Sequence, residues 1–568
     1  MTFPNGSTAL ATVVVDEIHR AGVGVVTAGP GSRSTAFVLA AESHPGIEVV
    51  MCIDERSAAF HALGWSKASG KPSAVSTTSG TAVANLMPAV VEADQSGTPL
   101  LVVSSDRPFE LRGVGANQTI SQVGMFSGFV RSEMEMGPAE MHPDAPRWWR
   151  SMASQVLGSM AGFGGSRGPG HLNLSFREPT VPVSDDGRST GEPYPYDQEG
   201  RPDGRPWTEA SWKPEPHQSG LDRVSEAVAT ARTGVILAGT GASGSHALPI
   251  LGRHLGWPVL ATAESGLRGL DGVISTGHHL VGRMQPDLIL RFGAVGPSRR
   301  LIDLVSSPTP QVAVGESWSD PGRMAGLVMG GDPETVGRAL TERLEPRDET
   351  DWGRWWRAAD RAVRRALAPE LTSGRTEPAV AAATAALGAD VLTVASSMPI
   401  RDVEAYAFEV PPLVTNRGAS GIDGFASTAL GAARHHSRAL ALTGDLSLLH
   451  DANGFLCDPS PTCVFVVIDN GGGGIFSFLP QAEHVAEQFE RLFATPHERD
   501  LAKLAEFHHG DYGELDDVSE LAAAVENAWS RGGLSFLVAR TDRTHNVAEH
   551  VKLANVVSDA LTSVRPPP

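Results

Sequence analysis

The stretch ALALTGDLSLLHDANGFLCDPSPTCVFVVIDNGGGG, residues 439–474, decides the fold. An apolar, β-rich run, Ala439–Thr443, stops at Gly444-Asp445. A helix-like segment, LLHDANGFL (448–456), follows, and a second apolar run, Thr462–Asp469, ends at Asn470-Gly471-Gly472. The twenty-five residues from Asp445 to Asn470 are one β-α-β crossover. Strands joined this way are usually parallel neighbours, so both side chains come to one carboxyl edge. A carboxylate, an amide oxygen and a backbone carbonyl are hard donors suited to Mg2+, which shares its octahedron with phosphates and water. Gly444 lets the backbone come close, and the amides of Leu446 and Ser447, at a helix N-terminus, can bind phosphate. The plain alternative is a helix cap and a turn. The same dipeptide recurs at Gly331-Asp332 and Gly510-Asp511, so it is the Asn at this spacing that gives the pair weight.

The same alternation runs outward in both directions. In the first ~180 residues, strand candidates Val23–Thr27, Ile47–Ile53, Ala74–Thr78 and Leu100–Ser104 alternate with helices, including Leu10–Arg20, Glu55–Ser69 and Gly80–Ala93. A second block carries Val235–Ala238, Val259–Ala261, Asp287–Phe292 and Gln311–Val314. The third carries Val391–Ala395, Leu413–Asn416, Ala439–Thr443, Thr462–Asp469 and Ser535–Arg540. Strands alternating with helices predict α/β architecture: three consecutive parallel-sheet domains, with ligands at the strand carboxyl ends. The expected boundaries are 1–182, a Pro/Gly-rich linker 183–218, a middle Rossmann-like domain 219–345, a linker helix 346–374 and a third domain 375–568.

Composition narrows the function classes. The 568 residues carry a net charge of −19, which argues against a general nucleic-acid or anionic-membrane binder. Hydrophobic residues at 41% and charged residues at 20% read as globular. No apolar run reaches the roughly 18 residues of a membrane helix, and the N-terminus lacks a signal peptide's basic start. Cys52, Cys457 and Cys463 show no CxxC spacing, so neither a disulfide scaffold nor a Cys-rich zinc site is expected, and a reducing cytoplasm is the simplest location. Only five of the 46 cations are lysines (Lys67, Lys71, Lys213, Lys503, Lys552). Arginines stand in strand-end turns: Arg33 in Gly29-Pro30-Gly31-Ser32-Arg33, Arg107 in Asp106-Arg107-Pro108, Arg401 after Val391–Ala395, and Arg417 after Leu413–Asn416. Such a set suits substrates with more than one carboxylate, since each guanidinium binds one bidentately.

Two features compete with this reading. Gly239-Thr240-Gly241-Ala242-Ser243-Gly244 fits GxGxxG, with Glu264 twenty residues on, as in a dinucleotide site. The alternative is a tight turn and close helix–sheet packing. The doublets His278-His279, His435-His436 and His508-His509 lack the i, i+4 spacing of a helical metal pair and read as solvated or capping histidines.

The Asp445–Asn470 pattern resembles the thiamine diphosphate signature, departing at Leu446 and Gly471 without losing a metal ligand. The resemblance implies Asp445, Asn470 and the Gly472 carbonyl as ligands of Mg2+, with Mn2+ as a substitute. It also implies thiamine diphosphate held by Ser420, Gly421, Gly444, Leu446, Ser447 and Asn470. Glu55, after the second strand, would be the catalytic glutamate that hydrogen-bonds the cofactor's aminopyrimidine. Ile422 would bend the cofactor, and Ile475 and Phe476 would wall it. Read alone, Glu55 is a first-turn helix glutamate favoured by the dipole.

The segments GPGSRST, IDERSAAFHALG, TSGTAVANLMPAVVEA, SSDRP, GANQTI, TNRGASGIDG, GDLSLLHD and NGGGGIFSFLP together resemble the SEPHCHC synthases (2-succinyl-5-enolpyruvyl-6-hydroxy-3-cyclohexene-1-carboxylate synthases) of menaquinone biosynthesis. The likeness covers the first and third blocks; the middle block matches in layout, and Gly473-Gly474 lengthens one Gly run. It implies a transferase that decarboxylates 2-oxoglutarate and adds the succinyl unit to isochorismate. Ser32, Arg33, Arg107, Gln118, Arg300, Ser397, Arg401 and Arg417 would contact substrate. The superfamily's cofactor lies between subunits, so a homodimer or homotetramer is implied, and the GxGxxG falls to packing. An acetohydroxyacid-synthase-type carboligase with flavin on the middle block, or a binding protein that kept the fold, are the competing readings.

Overall fold

The computed structural model describes residues 3–140, 142–183, 199–211 and 215–566. The first six strands are β1 (Val25–Ala28), β2 (Glu48–Cys52), β3 (Ser73–Thr77), β4 (Leu100–Asp106), β5 (Glu133–Met136) and β6 (Gly170–Ser175). They form a parallel sheet in the order β2-β1-β3-β4-β6-β5. The next six are β7 (Gly234–Ala238), β8 (Val259–Ala261), β9 (Val273–Ile274), β10 (Leu288–Phe292), β11 (Gln311–Gly315) and β12 (Leu327–Gly330). These make a second parallel sheet, β12-β11-β10-β7-β8-β9. The last seven are β13 (Val391–Val394), β14 (Leu413–Thr415), β15 (Ala439–Gly444), β16 (Cys457–Asp458), β17 (Cys463–Asp469), β18 (Asp511–Glu514) and β19 (Leu534–Arg540). All but β16 build a third parallel sheet, β14-β13-β15-β17-β19-β18. The expected α/β class with three parallel sheets is the observed one.

Central strands are buried along their whole length, as a parallel sheet covered on both faces requires. In β6 that burial includes His171 and Asn173, which alternation alone would not assign to a buried strand. Both meet Ser104 Oγ, His171 Nε2 at 2.6 Å and Asn173 Oδ1 as acceptor at 2.7 Å, and Glu133 lies 3.5 Å from His171 Nδ1. The helix expected over Gly80–Ala93 is two helices, Thr81–Ala84 and Met87–Ser96. Pro88 stands in the first turn of the second, where its missing N–H costs nothing.

Packing divides the chain into two compact units. One holds the first sheet with residues 416–437 and 447–462; the other holds the second and third sheets. In the first unit, helix Phe425–Ala433 packs on helix Glu55–Ser69. A Cβ on Gly64 would stand 2.0 Å from the Thr428 carbonyl oxygen, and one on Gly431 would stand 1.9 Å from that of His61. Glycine at both places is what lets these backbones touch.

Of the expected linker 183–218, residues 184–198 and 212–214 lie outside the described residues. The described part, 199–211, has no helix or strand; Arg20 Nη1 donates to the Arg201 carbonyl at 2.9 Å, and the Trp207 amide donates to Glu17. Within 346–374 lies a helix, Asp351–Leu367, with Trp352, Trp355 and Trp356 buried. One expectation is corrected. Cys52 and Cys457 are joined in a disulfide, because β16 runs antiparallel to β2 with Cys457 opposite Cys52. That pairing spans 405 residues and leaves no trace in local Cys spacing.

Candidate active site

In the second unit, β15 and β17 are parallel neighbours with Gly444 opposite Ile468, so Asp445 and Asn470 stand at one carboxyl edge. Asp445, 1% exposed, accepts from the Leu446 amide at 2.6 Å and from the Gly472 amide at 2.8 Å. His497 Nε2 lies 3.1 Å from the same carboxylate. Burial pushes the Asp445 carboxyl above its usual range, against the pull of His497. Asn470 Nδ2 donates to Glu377 at 2.9 Å, and its Oδ1 is buried without a partner among the described residues. Gly472 has φ +149°, and a Cβ there would stand 2.3 Å from the Ala494 carbonyl oxygen. An acidic oxygen and an orphaned amide oxygen thus stand at one strand edge, beside a turn that needs glycine, the donor chemistry of a hard divalent cation.

The turn Gly474–Phe478 follows with Ile475 and Phe476 half-buried, Phe476 6.0 Å from the Phe493 ring. Ser397 and Arg401 lie beyond β13, at the edge shared with β15. The Arg401 guanidinium donates to the Ser397 carbonyl at 2.7 Å. Arg300 is exposed on helix Arg299–Val305, beside the second sheet rather than at this edge.

In the first unit the carboxyl ends of β2, β1, β3 and β4 line up. They carry Glu55, Ser32-Arg33, Ser79 and Arg107 respectively. Glu55 opens helix Glu55–Ser69, which Asp54 caps through the Arg56 amide at 2.9 Å. Its carboxylate is half-buried and meets no hydrogen-bond partner among the described residues; a Cβ on Gly29 would stand 3.0 Å from its Cγ. Ser32 is exposed, while Arg33 is buried, donating to the Phe176 carbonyl at 2.9 Å and pairing with Glu178 at 3.0 Å. Arg107 donates to Ser79 Oγ. Burial, and then the charge of Arg33, lower the Arg107 pKa, so two guanidinium groups repel across one edge. Gln118 holds the left-handed φ of +53° beside them, its amide donating to the Ser79 carbonyl at 2.9 Å. A non-glycine residue in that region stores strain, which functional loops often do.

The loop 416–424 also belongs to the first unit. Buried Glu92 accepts from the amides of Gly418 at 3.0 Å and Ala419 at 2.6 Å, and fixes the loop bearing Arg417, Ser420, Gly421 and Ile422. Ser420 stands at φ +64°. Ser447 is buried and Leu446 half-buried in helix Asp445–His450.

The family model described as "Thiamine pyrophosphate enzyme, N-terminal TPP binding domain" matches residues 8–125. A 2-succinyl-5-enolpyruvyl-6-hydroxy-3-cyclohexene-1-carboxylate synthase of Rubrobacter xylanophilus is 37% identical, covering 97% of this chain and 98% of its own. One from Thermobifida fusca is 39% identical, covering 98% and 100%. The chain belongs to the SEPHCHC synthase family. Among solved structures, a benzoylformate decarboxylase from Polynucleobacter necessarius shares the fold: TM-score 0.71, 16% identity, 96% of this chain and 99% of that one.

Several residues around the family's motifs went unread in the sequence. Glu377 looks like a first-turn glutamate of helix Glu377–Ala385, yet it holds Asn470 and accepts from Thr541 at 3.0 Å. Burial and then Asp402 raise its pKa to about 7. His497 likewise carried no motif, and Glu92 lies within TSGTAVANLMPAVVEA without a role read for it. One expectation about histidines fails. His279 is buried and His278 half-buried rather than solvated: His278 Nδ1 lies 2.8 Å from Ser298 Oγ, and His279 Nε2 lies 2.7 Å from the Ala405 carbonyl. His508, though buried, stands at the C-cap of helix Leu501–Phe507, as a capping histidine does. Burial drives His279 to about 4, hence neutral. Among the described residues, no helix is long and apolar enough to cross a membrane.

Proposed function

We propose that the protein is a thiamine diphosphate-dependent transferase that decarboxylates 2-oxoglutarate and joins the succinyl unit to isochorismate. The observation that carries this reading is the full-length likeness to relatives of that name. The donor set supports a divalent cation, Mg2+ or Mn2+, held by Asp445, by Asn470 through its unpartnered oxygen and by the Gly472 carbonyl. The amides of Leu446 and Ser447 would meet the diphosphate. Glu55, whose carboxylate has no hydrogen-bond partner among the described residues, would hold a proton against the pyrimidine ring. When bound, the cofactor supplies the electron sink for loss of CO2.

The chain's own task is positioning and charge. Arg33, paired with Glu178, and Arg107 bring two guanidinium groups to one sheet edge, where a dicarboxylate substrate would add the anionic charge that their mutual repulsion favours. Gln118, held by Ser79, would orient the same acid; Ser32, Ser397, Arg401 and Arg417 would hold the remaining carboxylates, with Arg300 the outlying member. Ile422, Ile475 and Phe476 would exclude water, and Ser420, Gly421 and Gly444 would leave the cofactor room. Assembly as a homodimer or pair of dimers, residence in the cytoplasm, and domains divided near 182, 218, 345 and 374 complete the proposal.

The test mixes the protein with Mg2+, thiamine diphosphate, 2-oxoglutarate and isochorismate. Cofactor-dependent consumption of isochorismate with release of CO2 is expected. Isochorismate that persists when every component is present would overturn the reading.

A further inference from the structure

The first sheet ends in an unusual edge. β16 is two residues long and comes from beyond Asp445, yet it pairs with β2 three residues ahead of Glu55. Cys457 and Cys52 face each other across this pair with Cα atoms 4.2 Å apart, both at least 96% buried. In an antiparallel pair, directly opposed side chains leave the same face, so the register puts two sulfurs together. The third cysteine, Cys463, sits alone in β17; complete burial pushes its thiol far up and leaves it inert.

We propose that Cys52 and Cys457 form a reversible thiol–disulfide site that fastens the β16 segment to the sheet edge in front of Glu55. Three observations favour reversibility over a permanent staple. The chain has three sheets with extensive cores and does not depend on a disulfide to bury apolar surface. A two-residue edge strand opens locally at little cost, which exposes the link to exchange. Opening the link leaves a second fastening intact: Arg434 donates to Glu48 at the start of β2 and to the Pro459 carbonyl beside β16.

His61 completes the buried cluster, its ring nitrogens near both sulfurs, and a shared dication is the competing use. Arg434 argues against it. Its positively charged guanidinium donates from Nε to His61 Nε2 at 2.7 Å, which occupies that nitrogen and leaves the proton of the neutral ring on Nδ1. Burial and that charge hold His61 neutral, at about 3.

The chemistry is disulfide exchange with a low-molecular-weight disulfide. One cysteine thiolate attacks its S–S bond and expels one thiol. The second cysteine then attacks the mixed disulfide and expels the other. Two protein thiols are oxidised, one small disulfide is reduced to two thiols, and the two protons end on those thiols.

The experiment uses the full chain, equilibrated with glutathione disulfide or with a phosphine reductant. Thiols are counted after denaturation, and peptides are mapped without reduction. One free thiol is expected after oxidation and three after reduction, with a Cys52–Cys457 cross-linked peptide only in the first. Reduction should lower the melting temperature by several degrees in the parent. In C52S and C457S no intramolecular cross-link should form in either condition; two thiols are expected after reduction, and after oxidation the remaining partner cysteine should stop at a mixed disulfide with glutathione. Three thiols in both states, a link through Cys463, a covalent dimer on a non-reducing gel, or stoichiometric zinc bound to the reduced protein would each overturn the proposal.

Discussion

Two glycine-bearing turns in the second unit invite comparison. The turn after β7, Gly239–Gly244, has the fuller motif; the turn after β15, Gly444-Asp445, has only a dipeptide. The structure reverses their standing. A Cβ on Gly239 would stand 1.8 Å from the Ala294 carbonyl oxygen, and Thr240 bridges Ala294, so this glycine serves backbone packing. The helix beyond, Ala247–Leu255, already has an anion at its head, since Glu334 accepts from the Ala247 amide at 2.8 Å. At β15 the difference lies in Asn470: Asp445 is buried and already accepts from two amides, but the Asn470 Oδ1 at the same edge has no partner among the described residues. A motif marks a ligand site only where the chain has not already satisfied the groups that would bind it.

Five measurements would break or sharpen that contrast. The largest effect belongs to Asp445→Ala, which should remove Mg2+-dependent turnover and Mg2+ binding together; turnover that survives would dissolve the distinction between the turns. Glu55→Gln should lower kcat by about 10²–10⁴-fold while thiamine diphosphate still binds, as loss of a proton-holding group does. If kcat is unchanged, the cofactor does not meet the first sheet through this residue. Glu377→Ala should weaken Mg2+ binding by about 10–100-fold, the usual effect of removing a group that orients a ligand. Equal Mg2+ affinity in both proteins would show that Asn470 is oriented without it. Smallest is Glu334→Ala, expected to lower stability by about 1 kcal/mol through a lost helix-end anion, with activity unchanged. In the parent, equilibrium dialysis should find no NAD bound; binding there would restore the GxGxxG as a nucleotide site.

Much of this was legible in sequence because it is local. Strand runs such as Ala439–Thr443 and Val259–Ala261 need only their own apolar side chains and the turns that end them. The Asp445–Asn470 meeting was legible too, since a β-α-β crossover leaves few ways to arrange its strands. Strands β9 and β16, two residues each, are too short to carry a period. His279 could not be read as buried, because its partner, the Ala405 carbonyl, lies 126 residues away.

The arginine excess shows the same division. Composition set 41% hydrophobic residues and a −19 charge, which turned the reading from nucleic acid to small substrates. Placement of Arg33 and Arg107 at strand ends followed from the alternation, while their mutual repulsion is a fact of the folded sheet edge.

What the sequence determined by itself is the α/β class, the succession of strands and helices, and the residue types at the strand ends. Only the tertiary structure decided that Cys457 faces Cys52, that Glu377 turns Asn470, and that Glu334 fills the head of the helix after the GxGxxG. The reason is that side-chain periodicity is written within a few residues, whereas partners 87 to 405 positions apart are chosen by how whole sheets pack.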